Sequence, residues 1–191
     1  MWEWLTRLDF SVLYAIQDAL RCGFFDFLMP KITWLGNGGL IWILAAAVLL
    51  CIRKRRRYGV LLLIGLALGL LIGNIILKNA AARPRPCWLD PTVQLLIRAP
   101  RDYSFPSGHT MASVIGATVL TGADRRFAPV AIPLAALIAF SRLYLFVHFP
   151  SDVLAAVVIG LAIGGLVLFA HRQWMRRSRP AEIPPETPPE A

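Results

Sequence analysis

The chain has 191 residues, enough for one compact domain, and 57% of them are hydrophobic while only 16% are charged. Soluble domains are nearer half apolar and a quarter charged, so this composition sets an ordinary soluble fold aside in favour of a membrane protein. The formal charge of +9 would suit nucleic acid, but the densest basic cluster, Arg53 to Arg57, separates two apolar stretches, where it reads as a topology signal and an anionic-lipid contact, and nucleic acid is excluded as a partner.

In chain order, residues 3–22 come first. Wound as a helix, they carry Glu3, Thr6, Arg7, Ser11, Gln17, Asp18 and Arg21 on one arc and Trp4, Leu5, Leu8, Val12, Ala15, Ile16, Ala19 and Leu20 on the other. Asp9, Phe10 and Tyr14 break the pattern. Such a helix lies in the membrane interface, or forms a sixth span if its polar arc packs against other helices. Its charges interrupt any signal-peptide core, so no removable leader is expected. Residues 1–30 are read as an N-terminal amphipathic region. Uncharged stretches then cover 32–52, 60–77, 103–123, 127–141 and 153–170. A bilayer-spanning helix needs about 20 mainly apolar residues; four stretches approach that length, and the one from Phe127 reaches it by continuing past Arg142 to Val147. The expected fold is all-α: an integral membrane bundle of five to six transmembrane helices over residues 31–172. Residues 173–191 form a tail, basic and then rich in proline and glutamate, expected to be disordered.

Lysine and arginine in the connections set the orientation. The turn after Ile52, the turn at Arg125-Arg126 and the tail together hold eleven such residues, against six in the opposite loops. The basic turns and the C-terminus are therefore placed in the cytoplasm, and the opposite loops face outward. Cys22, Cys51 and Cys87 lack metal-ligand spacing and read as free thiols.

Few polar residues interrupt the apolar runs, and they fall on the outward side at the ends of four helices. Lys78 and Arg85 follow one run, Ser107-Gly108-His109 opens the next, and Arg142, His148 and Asp152 bracket the last turn. Ionisable groups persist at membrane depth mainly where they line a site. Arginine offers a planar fork for two oxygens, lysine a point charge, and a helix N-terminus with glycine offers unpaired backbone N–H groups to an anion. Lys78, Arg85, Ser107, Gly108 and Arg142 thus form a holder for a phosphate-type oxyanion. His148 precedes Asp152 by four residues, so a helix-like turn lets the carboxylate orient the ring and leaves the other nitrogen as a nucleophile. His109 is placed to protonate the departing oxygen. No acidic cluster suggests a metal site, so no metal or cofactor is expected. Singly, each group also has a structural reading: Lys78 as a snorkelling anchor, Ser107-Gly108 as a helix start, His148 with Asp152 as a helix-start hydrogen bond. Arg83, Arg98 and Arg101 are read as solvated or headgroup-contacting charges.

Lys78-x6-Arg85-Pro86, Pro106-Ser107-Gly108-His109 and Ser141-Arg142-x5-His148-x3-Asp152 together resemble the three-part signature of the type-2 phosphatidic acid phosphatase superfamily, which also includes vanadium-dependent haloperoxidases. The resemblance covers roughly residues 30–170. It implies His148 as nucleophile, Asp152 as its orienter, His109 as general acid, and Lys78, Arg85, Ser107, Gly108 and Arg142 as ligands of the phosphoryl group. The short, span-dense chain looks more like bacterial lipid-phosphate phosphatases than haloperoxidases. Small bacterial members act on undecaprenyl diphosphate, phosphatidylglycerophosphate or phosphatidate, and an outward site in a bacterial cytoplasmic membrane favours the first. The rival from another class is a protein that binds or flips a lipid phosphate without turnover.

Overall fold

The computed structural model describes residues 3–177. Among them every regular element is helical: α1 (Glu3–Leu20), α2 (Gly23–Leu35), a 3₁₀ turn (Asn37–Gly39), α3 (Leu40–Cys51), α4 (Arg56–Gly69), a π-helical segment (Leu70–Leu77), α5 (Lys78–Ala81), α6 (Pro86–Leu89), α7 (Gly108–Ala123), a second 3₁₀ turn (Arg125–Phe127), α8 (Ala128–Tyr144) and α9 (Pro150–Arg177). The all-α architecture read from the sequence is observed. Residues 173–177, expected as the start of a disordered tail, continue α9 as helix. The rest of that tail, 178–191, lies outside the described residues.

The element ends follow local chemistry. Ser107 caps α7 in extended conformation, Asp124 caps the second 3₁₀ turn, and α9 opens on Pro150 with Asp152 in its first turn, as helix N-termini prefer. Between α2 and α3, Gly38 and Gly39 take φ of +58° and +74°, a region open to glycine at little cost. The two halves bend there by 46°.

Arg56–Leu89, Arg125–Tyr144 and Pro150–Arg177 are long and apolar enough to cross a membrane, and a fourth span forms if the bent α2–α3 pair is one unit. The remaining stretch expected to span, 103–123, becomes helix only from Gly108, and its 16 helical residues form the centre of the bundle. Small residues let neighbours approach this central helix closely. A Cβ on Gly160 or Gly164 of α9 would stand 2.9 Å from Val114 or Thr118. At Gly116 the Trp42 ring lies where a Cβ would come within 2.3 Å, and its indole N–H donates to the Ser113 hydroxyl at 3.0 Å. Outward-facing Val130, Leu154, Val158 and Leu166 are 61–71% exposed, a belt suited to lipid rather than water. The protein is a multi-pass membrane protein.

Helix α1 rests on α8 and α9. Leu13, Ile16 and Leu20 join an apolar cluster with Met29, Tyr144, Phe146 and Phe149. Asp9, which broke the amphipathic pattern, lies on this buried face and is 3% exposed, while Trp4, Leu8 and Val12 remain open to the surroundings.

Candidate active site

A cavity of about 900 Å³ is lined by Lys78, Arg85, Gly108, His109, Arg142 and His148. Ser107 and Asp152 stand behind them with no exposed surface. All eight residues singled out from the sequence are thus gathered at one end of the bundle. The helix from Val60 was expected to end at Lys78; instead helical structure runs on through α5 to Ala81, with Lys78 carried just past the π-helical segment. At the turn into α7, the Ser107 hydroxyl accepts from the Thr110 N–H and hydroxyl at 3.4 and 3.0 Å. A Cβ on Gly108 would fall 2.6 Å from the Asn74 side-chain oxygen, so the glycine lets Asn74 of the π-helical segment pack directly against this turn.

Lys78, Arg85 and Arg142 are 5, 2 and 3% exposed, and buried cations need partners. Asp102 serves two of them. Its carboxylate accepts from Lys78 Nζ at 2.5 Å and from Arg85 Nη2 at 2.8 Å, and its backbone carbonyl accepts from Arg85 Nε at 2.7 Å. Burial would raise the Asp102 carboxyl, but the Lys78 hydrogen bond and the Arg85 charge outweigh it and hold the group at about 2. Arg142 donates through Nη1 to the Thr33 hydroxyl, while its buried Nε has no hydrogen-bond partner. Two cations on a carboxylate beside an orphaned guanidinium N–H make a cradle for an anion with more oxygens than a carboxylate carries.

Arg85 Nη1 lies 3.1 Å from His148 Nε2. A guanidinium only donates, so Nε2 accepts and the ring proton is assigned to Nδ1. That Nδ1 is 3.6 Å from Asp152 Oδ2, close but outside hydrogen-bond reach. Asp152 Oδ2 is already taken by the Ser104 hydroxyl at 2.5 Å and the Phe149 N–H at 2.9 Å. The expected contact between His148 and Asp152 is therefore an alignment rather than a bond. Burial, with the charge of Arg85 next, pushes the His148 imidazole well below its usual range, which keeps the ring neutral. His109 Nε2 lies 2.8 Å from the side-chain oxygen of Asn37, an acceptor, so that nitrogen carries a proton. Asn37 lines the same cavity.

One assignment is corrected. Arg83 is not a solvated charge: its side chain is 12% exposed and pairs with Asp9 at 2.7 Å and Asp152 at 2.6 Å. The carboxylate that draws it inward comes from a helix remote in sequence, which loop composition does not reveal. Arg98 and Arg101 are exposed, but both line the cavity instead of standing apart from it. Asp102, Asp9, Ser104, Thr33 and Asn37 were not anticipated. A faint signal existed for Asp102, one of two acids in the loop 79–106, and for Asp9, the acid that spoiled an apolar arc. Among the described residues no group of three or more His, Cys, Asp or Glu side chains gathers as a metal site.

The sequence matches the PAP2 superfamily over residues 58–176. It is 35% identical over 122 residues to an undecaprenyl-diphosphatase of Sulfolobus acidocaldarius, a match covering 63% of this chain and 58% of that relative's length. In structure it is similar to LpxE of Aquifex aeolicus, with TM-score 0.74 and 30% identity over 85% of this chain and 95% of that one. A PAP2-type phosphatidylglycerolphosphate phosphatase of Bacillus subtilis is likewise similar, with TM-score 0.74 and 27% identity over 93% of this chain and 90% of that one.

Proposed function

Because the chain belongs to the PAP2 superfamily, we propose that it is an integral membrane lipid phosphatase acting through a phosphohistidine, with undecaprenyl diphosphate as its substrate. The observation that carries this reading is the facing arrangement of an unprotonated His148 Nε2 and three buried cations, one with an unpartnered N–H.

Phosphoryl transfer is catalysed mostly by positioning and charge stabilisation. The phosphoryl oxygens exchange with the Asp102 carboxylate for Lys78 and Arg85, take the free N–H of Arg142, and meet the backbone donors at Ser107-Gly108. His148 Nε2 attacks phosphorus, the bond to the lipid-side oxygen breaks, and His109, entering the step as the imidazolium, gives one ring proton to that oxygen and is left neutral. Water then attacks the phosphohistidine while His109 takes a proton back, releasing phosphate and restoring His148. Asp152 steadies the positive charge that develops on the ring. The electrostatic work falls on Lys78, Arg85 and Arg142, so turnover needs no added metal.

The cavity continues along Trp34, Ile43, Leu63, Leu66 and Leu70, an apolar wall suited to a chain that stays in the bilayer. The undecaprenyl-diphosphatase relative supports the substrate named, as does the outward orientation of the site expected from the distribution of lysine and arginine in the connections. Similarity to the phosphatidylglycerolphosphate phosphatase along nearly the whole chain favours a second reading, a glycerophospholipid phosphatase with the same chemistry.

The test is phosphate release by purified protein, in EDTA, from undecaprenyl diphosphate, phosphatidylglycerophosphate, phosphatidate and a soluble phosphate ester, beside His148→Ala. Undecaprenyl diphosphate should give the highest kcat/KM and His148→Ala none. Preference for a glycerophospholipid selects the second reading. Binding without release by the unmutated protein would make it a carrier, and loss of activity in EDTA restored by Mg²⁺ would end the metal-free mechanism.

A further inference from the structure

We propose that the N-terminal helix belongs to the catalytic apparatus: Asp9 of α1 is a positioning residue that, through Arg83 and Ser151, fixes the carboxylate of Asp152 behind His148. The proposal rests on the reading of His148 as nucleophile.

Asp9 is buried and its carboxylate is fully used. Oδ1 accepts from the Ser151 N–H at 3.0 Å, and Oδ2 from the Ser151 hydroxyl at 2.6 Å and from Arg83 Nη2 at 2.7 Å. The Ser151 N–H belongs to the first turn of α9, where backbone donors lack helical partners and the helix dipole favours an anion. α1 thus caps the helix that carries Asp152. Arg83 completes the link, since its Nη1 donates to Asp152 Oδ1 at 2.6 Å and to the Ser151 hydroxyl at 2.7 Å. The guanidinium also lies over the Phe149 ring, 4.1 Å from its centroid, beside His148 in the chain. One planar fork therefore spans two carboxylates, a geometry arginine supplies and lysine does not.

Charge gives the arrangement its purpose. Arg83 alone would cancel Asp152, leaving His148 facing only Arg85, Arg142, Lys78 and the Asp102 that pairs with two of them. With Asp9 the trio Asp9, Arg83 and Asp152 carries one net negative charge on the side of the ring remote from the phosphoryl cradle. Attack by Nε2 makes the ring more positive, so this charge acts on the transition state more than on substrate binding. Neither Asp9 nor Arg83 lines the cavity, so their effect should appear in kcat.

The test is a double-mutant cycle on full-length protein in lipid-containing micelles: Asp9→Asn, Arg83→Met and the pair, with kcat taken per monodisperse enzyme. Asp9→Asn should lower kcat by about 100-fold with KM unchanged within about twofold. The double variant should be no slower than Arg83→Met, and Asp9→Glu, which keeps the charge, should recover much of the loss. A near-normal kcat for Asp9→Asn, losses that multiply, or a loss confined to KM would each overturn the proposal. If Asp9→Asn gives no monodisperse protein, Ser151→Ala replaces it, with a several-fold loss of kcat expected and an unchanged kcat decisive against. His148→Ala runs alongside. If it turns over normally, the nucleophile reading fails; if it is dead while Asp9→Asn is unaffected, only the role of α1 falls.

Discussion

At the scale of single residues, Asp102 stands out because it gives Lys78 and Arg85 an anion from their own chain. Its side chain is 56% exposed while theirs are buried, so it can swing into water and surrender both donors to a phosphoryl group. Removing this competitor should help substrate binding more than chemistry. With its acid open to water and screened there, such an ion pair is worth about 1 kcal/mol, so Asp102→Asn should lower KM roughly fivefold and leave kcat nearly unchanged. The carboxyl sits at about 2, below its value of about 3.9 in an unfolded chain, so its ion pairs are intact above about pH 4 and fade only as pH falls toward 2. The ratio of KM between the two proteins should therefore be the same at about pH 5 and pH 8. A higher KM for Asp102→Asn would mean that the carboxylate organises the cations instead of competing for them.

At the scale of elements, the site depends on how closely helices approach α7. Gly116 is the tightest point, with the Trp42 ring against its Cα. Trp42 is 1% exposed and held by Ser113, so it cannot move aside without losing packing or its hydrogen bond. Gly116→Ala should cost about 2 kcal/mol by overpacking, a fall of roughly 5 °C in Tm for a chain of this size, measured by thermal unfolding in detergent. An unchanged Tm would show that the interface repacks freely. The cap at Ser107 and the acidic first turn of α9 were legible in the sequence because helix ends and anion holders draw on the same few residue types. The joint pattern of Lys78, Arg85, Ser107, Gly108, His109, Arg142, His148 and Asp152 was legible for the same reason. The pairing of Arg83 with Asp9 was not, since 74 residues separate them and only the docking of α1 on α9 brings them together. Asn37 beside His109 was hidden likewise, because a bend between two glycines sets its position.

At the scale of the whole molecule, the basic turn and the site lie at opposite ends of the helices that connect them. Arg55 pairs with Asp124 across the two basic connections, tying them together on one side. If that side is cytoplasmic, Lys54→Cys in a background lacking Cys22, Cys51 and Cys87 should react with a membrane-impermeant maleimide in inside-out vesicles and not in intact cells. The reverse pattern would turn the protein over and place the site inside.

The π-helical segment Leu70–Leu77 has a consequence of phase. Lys78 lies nine positions beyond Gly69, which in a plain α-helix is about two and a half turns, or roughly 180° away. Gly69 faces α7, where a Cβ would meet Ile115, so an unbroken helix would aim Lys78 at the lipid. The wide turn takes up about one extra residue and rotates everything after it by roughly 100° relative to everything before. One helix thus keeps two registers, a glycine face for packing ahead of the wide turn and an ammonium aimed at the site behind it.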